Sequence, residues 1–326
     1  MNKSQKNKNK NKKKKSPLKI TLISLLVLVL ITLLGGGFYA LYLSNKLDKV
    51  TLDKDNIGIT PETTENLSKY DSYNQIINIA LFGVDAGDNE LGRSDSIMIL
   101  TIDPIHKKLK LSSLMRDSYV NIPGHGMDKL NHAFAFGGSV LALQTINENF
   151  GLNVNNFVST NFSNLPKIID KLGGITINIT DEEVPLINKY AASLGSSSTV
   201  SGSGPQLLDG DLTLAYSRIR YTSGGDYERT SRHRTVLASV FDKVINTPVT
   251  QFPTLLNDFL PFIETSFSTS ELLKVGTTIS QIGSKELIED RFPRDESAKG
   301  EMINGVSYIT FDIEETKSQI QQFIYE

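Results

Sequence analysis

Apolar and polar residues alternate with different periods along this chain of 326 residues, and each period predicts a type of element. Residues 20–43 contain no charged side chain, and a run of about 20 apolar residues is long enough to cross a bilayer as a helix. Residues 1–19 before it carry nine lysines and no acidic residue. Because lysine-rich flanks stay in the cytoplasm, the pattern predicts a cytoplasmic tail, a single transmembrane helix and an extracellular remainder.

A cleaved signal peptide is the alternative interpretation of the same apolar run. The run exceeds the usual signal-peptide core of about 7 to 15 residues, and no clear small-residue cleavage site follows it. The chain also lacks cysteine, which fits an exported domain without disulfides but decides little. Retention as an anchor in the cell membrane is therefore the prediction.

The rest of the chain divides into a polar segment and one large domain. Residues 44–74 are polar and lack a sustained period, which predicts an extracellular stalk, and residues 75–326 are long enough for one domain with its own core. Short apolar runs predict strands over 76–82, 97–102, 109–114, 157–160 and 175–179. Helical spacing appears over 131–149, 163–172, 209–217, 228–246, 251–263, 269–283 and 313–325. Strands interleaved with helices indicate a layered α/β fold.

The charge balance excludes one class of partner. After the lysine-rich tail the chain holds 25 basic residues against 36 acidic ones, so the exported part is acidic. An acidic surface argues against general binding to nucleic acids. DNA recognition would need a basic cytoplasmic domain with a helix that reads bases, and only the short tail is predicted to be cytoplasmic. We therefore expect no nucleic-acid partner.

Arginines are few and clustered. Five of the nine fall within residues 218–234, and every other basic residue in the chain apart from histidine is lysine. A guanidinium group offers a rigid fork of donors that matches phosphate, so the cluster predicts a phosphate-binding set. The alternative is that these arginines pair with neighbouring acidic residues on a solvated face. Within the cluster, Asp226 is placed to cap a helix, and Arg229 and Arg232 share one of its faces.

Two aspartates and one arginine follow or precede predicted strands. Asp85 ends the first strand of the domain, Asp95 precedes the second, and Arg116 with Asp117 follows the third. Ligands gather at strand ends in α/β sheets, and Mg²⁺ prefers carboxylate and phosphate oxygens. Asp85 and Asp95 are thus candidate magnesium ligands, although turn and capping roles explain each of them equally simply. A local contact between Arg116 and Asp117 is the alternative for that pair.

Three further sets of residues leave their roles open in the sequence. Asn131 and His132 open a predicted helix, where capping or packing is the simpler role. Arg291 and Arg294 fit either a site residue or a surface residue. Asp117 and Asp226 are the candidates for a general base.

Taken in order, these motifs closely resemble the LytR-CpsA-Psr family over about residues 75–326. The matching strings are Gly83-Val84-Asp85, Gly92-Arg93-Ser94-Asp95, Met115-Arg116-Asp117, Lys129-Leu130-Asn131-His132, Tyr216-Ser217-Arg218-Ile219-Arg220 and Gly224-Gly225-Asp226-Tyr227-Glu228-Arg229. The resemblance implies an αβα sandwich with a central mixed sheet, preceded by the single transmembrane helix. It also implies a hydrophobic cavity for a polyprenyl chain, for which the candidates are Phe134, Phe136, Leu141, Leu143, Phe157, Phe162, Ile168 and Ile169. Helical spacing assigns the same residues to the core.

The family resemblance implies a reaction and a set of roles. The reaction attaches a polyprenyl-diphosphate-linked glycopolymer to peptidoglycan, at the C6 hydroxyl of N-acetylmuramic acid, and releases polyprenyl phosphate. Asp85 and Asp95 match the family's metal-linked aspartates, with Mg²⁺ as cofactor. The residues that match its diphosphate-binding set are Arg93, Arg116, Arg218, Arg220, Arg229 and Arg232. The residues for which a catalytic role is implied are Arg116, Asp226 and Arg229.

Two departures from the family pattern and two other functions stay open. Ala86 stands where many members have a basic residue, and His233 stands where they commonly have glutamine. The first departure removes one possible contact to a diphosphate, and the second makes that position titratable. The alternatives to transfer are hydrolysis of the polyprenyl-diphosphate glycan, with water as the nucleophile, and a non-catalytic role as an envelope regulator.

Overall fold

The computed structural model describes residues 42–43, 45–86, 91–219, 225–283 and 286–326, and for residues 54, 225–230 and 249 the backbone only. The chain divides into two units, residues 1–45 and 46–326, and all the elements named below belong to the second. Within the described part of the chain, no helix is both long and apolar enough to span a bilayer. The cytoplasmic tail and almost all of the transmembrane helix predicted over 20–43 lie outside the described residues and stay predictions.

A seven-stranded mixed sheet forms the centre of the second unit. Its strands, in chain order, are β1 (Asp48–Lys49), β2 (Ile77–Asp85), β3 (Arg93–Asp103), β4 (Lys108–Leu114), β7 (Asn156–Asn161), β10 (Glu264–Thr265) and β11 (Leu287–Phe292). Across the sheet the order is β1, β10, β7, β2, β3, β4, β11. β3 is antiparallel to both β2 and β4, whereas β7 is parallel to β2 and β11 is parallel to β4. One end of the sheet therefore contains the carboxyl ends of β2, β4, β7 and β11 and the amino end of β3. We call this end of the sheet the reacting edge.

Helices and three small strand pairs surround the sheet. The helices are α1 (Pro61–Leu67), α2 (His132–Phe150), α3 (Leu165–Lys171), α4 (Glu183–Ser193), α5 (Gly210–Ser217), α6 (Gly225–Ile245), α7 (Phe252–Phe259), α8 (Thr269–Ile282) and α9 (Ile313–Tyr325). Two of the pairs are hairpins, β5 (Tyr119–Ile122) with β6 (Gly126–Lys129) and β12 (Ala298–Ile303) with β13 (Val306–Phe311). In the third pair, β8 (Ile175–Ile179) is antiparallel to β9 (Gly204–Leu208), and α4 lies between them in the chain.

Both faces of the sheet are covered, because successive side chains of a strand point to opposite faces. On β2, Ala80 and Phe82 pack with residues of α2 and α9, whereas Ile79 and Leu81 pack with residues of α6 and α8. A sheet buried on both sides needs apolar residues at nearly every position, which explains the continuous apolar run in β3. The structure thus has helices on both faces of a central mixed sheet, as the sequence predicts.

A separate apolar cluster holds α3, α4 and α5 against the antiparallel pair β8–β9. Val236 and Val240 of α6 pack on the same cluster. This cluster fixes the carboxyl end of α5, where Arg218 lies, relative to α6. Apolar packing therefore positions α5 and α6, the two helices next to the arginine cluster.

The segment before residue 75 differs from the predicted stalk. β1 pairs with β10, and α1 begins at Pro61 after the side chain of Thr60 caps its first turn. Ile57 and Leu67 are fully buried in the main core. The polar composition of 44–74 hides these few apolar anchors, so the boundary at residue 75 falls too late and the folded unit begins at Lys46.

Replacing Gly210 by alanine tests the packing that positions α5. A Cβ at Gly210 would lie 2.3 Å from the carbonyl oxygen of Pro166, so backbone atoms must move. We expect Gly210→Ala to lower the free energy of unfolding by about 1–3 kcal/mol, measured by urea denaturation. Gly202→Ala is the matched control, because nothing lies within 4 Å of a Cβ there. An equal loss in both variants would contradict the proposed backbone contact.

Candidate active site

Asp95 lies in a bulge at the start of β3. Gly83 pairs with Ser96 and Val84 pairs with Ser94, so Asp95 has no partner residue across the strand pair. A bulge bends the strand locally and changes the direction of the extra side chain. The Asp95 carboxylate is thereby directed to residues other than those of the paired strand β2.

Asp85 and Arg93 face each other at the end of the β2–β3 pair. Both side chains are exposed at the reacting edge. Gly92 permits this tight approach, because a Cβ there would lie 2.2 Å from the carbonyl oxygen of Asp85. The structure therefore brings together three of the residues that the sequence singles out, namely Asp85, Arg93 and Asp95.

Arg116 joins the end of β4 to the bulge. Leu114 pairs with Ile97, which places Arg116 beside Asp95 at the reacting edge. One guanidinium nitrogen of Arg116 lies 2.8 Å from Oδ2 of Asp95, and its Nε lies 3.3 Å from Oδ2 of Asp117. Arg116 is only 9% exposed, so its charge needs these carboxylates close by. The predicted local contact with Asp117 and the predicted convergence with Asp95 are both present.

Lys129 extends this charged chain. Its Nζ donates to Oδ1 of Asp117 at 2.7 Å and lies 5.7 Å from the centre of the Tyr308 ring. Asp117, one of the two candidate general bases, therefore accepts from two cations, Arg116 and Lys129. These contacts orient the Arg116 side chain from the side opposite Asp95. Sequence reasoning did not assign Lys129 a role, and only its position at the end of β6 shows one.

Asn131 contributes an amide at the same place. Its Nδ2 donates to Oδ1 of Asp95 at 3.3 Å, and its backbone amide donates to the carbonyl of Arg116 at 3.0 Å. The side chain makes no capping hydrogen bond to α2, which differs from the capping role expected of it. Its Oδ1 is buried and has no hydrogen-bond partner among the described residues. A buried oxygen of this kind beside a carboxylate is suited to a cation.

His132 and Asp128 form a pair next to Asn131. Nδ1 of His132 lies 2.8 Å from Oδ2 of Asp128, and the Tyr308 hydroxyl donates to Oδ1 of Asp128 at 3.3 Å. Burial acts to raise the pKa of Asp128, but hydrogen bonds from His132, the Lys129 amide and Tyr308 outweigh it and leave the pKa below its usual value. The carboxylate form is thus favoured, and it fixes the orientation of the imidazole.

The arginine cluster is only partly described. Arg218 is exposed at the carboxyl end of α5. Arg220 and the side chains of Asp226 and Arg229 lie outside the described residues, so their predicted roles stay predictions. Phe162 connects this region to the sheet: its ring packs over Gly83 of β2 and lies 4.6 Å from the ring of His233. The start of α6 is thereby held near the end of β2.

Arg232 is held in a buried ion pair. Its Nε donates to Oε1 of Glu183 at 2.8 Å, and another of its nitrogens donates to the carbonyl of Ile219 at 3.3 Å. The two paired side chains are 5% and 8% exposed. Burial, followed by the negative charge of Glu183, raises the pKa of the adjacent Tyr216 to about 12. In this position Arg232 connects α6 to Glu183 of α4 and to Ile219 just after α5. Its contact with a diphosphate stays a prediction.

Arg291 and Arg294 pair with acidic residues of their own segment. Arg291 bonds to Asp295, and a nitrogen of Arg294 lies 2.7 Å from Oδ2 of Asp290. Together with Arg234 they line a cavity of about 410 Å³ that is rich in both charge signs. Both roles that the sequence leaves open for Arg291 and Arg294, in the site or on the surface, stay open.

A cleft of about 270 Å³ lies beside Asp85, and polar residues such as Asp48, Asn161 and Glu264 line part of it. Because its remaining wall is apolar, we call it the apolar cleft. Its apolar wall consists of Val84, Ala86, Leu91, Phe134, Pro261, Phe262 and Ile263. Of the candidates for a lipid slot, Phe134 lines this cleft, whereas Leu143, Phe157 and Ile169 are fully buried in core clusters. A larger cavity of about 880 Å³ runs along α6, but its wall is mainly polar.

Comparison with known proteins gives the chain its family. The LytR_cpsA_psr family model matches residues 40–324. The polyisoprenyl-teichoic acid–peptidoglycan teichoic acid transferase TagU of Enterococcus faecalis is 34% identical over 252 residues, which cover 75% of this chain and 77% of that protein. TagU of Oceanobacillus iheyensis is 30% identical over 299 residues, which cover 87% of each. The chain therefore belongs to the LytR-CpsA-Psr family, as its motifs indicate.

The fold agrees with a solved member of this family. The structure of TagT with bound octaprenyl pyrophosphate lipid matches with a TM-score of 0.58 and 26% identity, over 76% of this chain and 90% of that one. The central mixed sheet of this chain is therefore the family's sheet.

Breaking the buried pair tests whether Arg232 is structural. Arg232→Met leaves the Glu183 carboxylate buried without its charged partner, so we expect a loss of about 3–5 kcal/mol in the free energy of unfolding. The double variant Glu183→Gln with Arg232→Met should recover part of that loss, measured by denaturant unfolding. A single variant with unchanged stability would contradict the structural role.

Proposed function

We propose that this protein is a phosphotransferase that moves a polyprenyl-diphosphate-linked glycopolymer onto peptidoglycan, at the C6 hydroxyl of N-acetylmuramic acid. The observation that carries the proposal is the Asp95–Arg116–Asp117–Lys129 chain at the reacting edge. All four residues of this chain of contacts lie in sequence motifs that resemble those of the LytR-CpsA-Psr family. The TagU relatives, whose names give this type of transfer, support the proposal, as does the lipid diphosphate bound to TagT.

The proposed reaction exchanges a phosphoanhydride bond for a phosphoester bond. The acceptor oxygen forms a bond to the phosphorus that carries the polymer, while the bond from that phosphorus to the bridging oxygen breaks. Polyprenyl phosphate leaves with the bond's electron pair, and the acceptor's proton is released. Negative charge builds up on the phosphate oxygens as the bridge breaks, and fixed guanidinium groups stabilise it. Arg116 suits this role because its two carboxylate contacts hold its fork in place.

The residues at the reacting edge fit a magnesium ion. Asp85 and Asp95 supply carboxylates, and the buried Oδ1 of Asn131 supplies a third oxygen of the kind that Mg²⁺ prefers. Mg²⁺ is often held by one or two protein carboxylates together with substrate phosphates. When bound, the ion would neutralise charge on the phosphate oxygens.

The proposal includes a location. The apolar run over 20–43 anchors the chain in the cell membrane, with the folded unit outside and its lipid-linked substrate in the same membrane. The part of the polyprenyl chain nearest the diphosphate would lie in the apolar cleft beside Asp85. The alternatives of hydrolysis and non-catalytic binding differ from transfer in product alone, so the assay below separates them.

The decisive experiment supplies the full-length protein, in detergent, with labelled polyprenyl-diphosphate glycan, Mg²⁺ and an uncrosslinked peptidoglycan oligomer. We expect a covalent conjugate and free polyprenyl phosphate, detected by mass spectrometry. Free phosphorylated glycan without conjugate would identify a hydrolase. Binding of the lipid-linked glycan without turnover would identify a non-catalytic role, and either outcome would overturn the proposal.

Arg116 should be essential for this reaction. Removing one fixed donor to a developing anion typically costs about 10²- to 10³-fold in rate, so Arg116→Ala should lose at least that much. Lys107→Ala is the control, because Lys107 is exposed in the turn that joins β3 to β4, at the opposite end of the sheet. Initial rates of conjugate formation check this, with thermal unfolding to confirm that each variant is folded. Full transfer by a folded Arg116→Ala would contradict its assignment.

Asp85 should determine the metal requirement. Asp85→Asn removes a charged oxygen ligand from an exposed position, so we expect the Mg²⁺ concentration for half-maximal rate to rise roughly tenfold or more. Binding of Mn²⁺, followed by electron paramagnetic resonance, should weaken in parallel. Asp71→Asn is the control, since Asp71 is exposed in the turn before β2, at the opposite edge of the sheet. Unchanged Mn²⁺ binding in Asp85→Asn would remove Asp85 from the metal site.

A further inference from the structure

Two aromatic rings are stacked in solvent beside the reacting edge. Phe136 of α2 is 44% exposed, and His125 is exposed in the turn that joins β5 to β6. Their ring centres are 4.4 Å apart and their planes differ by 14°. We call this pair, together with His132, the aromatic platform. A large apolar ring held in water by a second ring needs an explanation, because burial would stabilise it more.

A polar rim adjoins the platform. His132 is one helical turn before Phe136, on the same face of α2, and its ring meets the Phe136 ring edge-on at 5.9 Å. Asp128 fixes Nδ1 of His132 at 2.8 Å and itself accepts from the Tyr308 hydroxyl. A flat aromatic surface bordered by oriented polar groups is the chemistry that recognises a pyranose ring, whose C–H face is apolar and whose hydroxyls need hydrogen-bond partners.

The platform is connected directly to the reacting edge. Asn131, the residue before α2, donates to Asp95, and Phe136 lies roughly 7.5 Å further along the helix axis by the rise of 1.5 Å per residue. A sugar ring stacked on Phe136 would therefore lie roughly 7.5 Å along the helix axis from Asn131, the residue that contacts Asp95. The exposed rings and the charged chain belong to one continuous surface of α2 and the β5–β6 hairpin.

The position of the platform also distinguishes the two substrates. Phe134 lines the apolar cleft, and residues two apart on a helix point in directions roughly 200° apart, so Phe136 lies on the opposite side of α2. In phosphoryl transfer the attacking and leaving oxygens are roughly in line. If the polyprenyl phosphate leaves toward the cleft, the attacking sugar must approach from the opposite side, where the platform lies.

We propose that the aromatic platform of His125, His132 and Phe136 is the acceptor subsite and stacks a sugar ring of the peptidoglycan glycan strand. The proposal rests on the transferase function above and adds to it the place where the acceptor binds. Phe136 supplies the stacking surface, and the His125 ring stacks on the Phe136 ring and holds it in place. The oriented His132 imidazole offers a hydrogen bond to a sugar hydroxyl.

A tryptophan reporter tests binding without any reaction. The chain has no tryptophan, so Phe136→Trp introduces a single fluorophore on the platform. We expect a tetrasaccharide of alternating N-acetylglucosamine and N-acetylmuramic acid to change its emission saturably. Leu207→Trp is the control, because Leu207 is 63% exposed on the distant β9 and should give no change. No saturable change in Phe136→Trp, or the same change in both variants, would overturn the proposal.

Kinetics then assign the bound sugar to a substrate. We expect Phe136→Ala to raise the KM for the peptidoglycan oligomer roughly tenfold and to leave the KM for the lipid-linked donor unchanged. Leu207→Ala, which alters an exposed residue of β9, should change neither constant. An increase for the donor alone, or no increase at all, would overturn the acceptor assignment while leaving the transferase function intact. If the wild-type protein forms no conjugate, the transferase function fails, and the fluorescence titration still decides the platform.

Discussion

The contact between Arg116 and Asp95 is the interaction on which the site depends. A guanidinium that is 9% exposed is costly to bury, and two carboxylates at 2.8 and 3.3 Å offset that cost. The pairing fixes the end of β4 against the bulge of β3, and the sheet behind it resists movement because both its faces are packed. The same contact therefore stabilises the edge and fixes the position of the Arg116 guanidinium, which we propose contacts a phosphate.

The surrounding contacts make this arrangement specific. Lys129 holds Asp117 from the β5–β6 hairpin, and Asn131 holds Asp95 from the start of α2. Each of these elements also carries part of the aromatic platform, so the charged chain and the exposed rings are built on the same two elements. A change in the hairpin is thus transmitted to Arg116 through a single carboxylate. Positioning of this kind matters in phosphoryl transfer, where the protein contributes mainly orientation and charge.

Much of the fold can be predicted from the sequence, and the limits have physical causes. The apolar run at 97–102 identifies β3 because a doubly covered strand must be apolar throughout. β11 was missed, because Glu289, Asp290 and Arg291 interrupt its apolar residues at the exposed edge of the sheet. The site residues Asp85, Arg93 and Arg116 were found through their positions at strand ends. The direction of the Asp95 side chain depends on a bulge, which the sequence pattern does not predict. The ion pair of Arg232 depends on Glu183, 49 residues earlier, and no local pattern predicts it.

The charge balance explains why the arginine cluster is needed in addition to the sheet edge. Around the ends of β2, β3 and β4, the cations Arg93, Arg116 and Lys129 are matched in number by Asp85, Asp95 and Asp117. The proposed diphosphate would bring further negative charge to a place that is neutral by this count, and so it would require cations from elsewhere. The proposed Mg²⁺ would supply some of that charge, and Arg218, exposed at the end of α5, would supply more. Because packing on Phe162 and the buried Arg232–Glu183 pair position the start of α6, the stability of those apolar and ionic contacts limits how well the site can hold its anionic substrate.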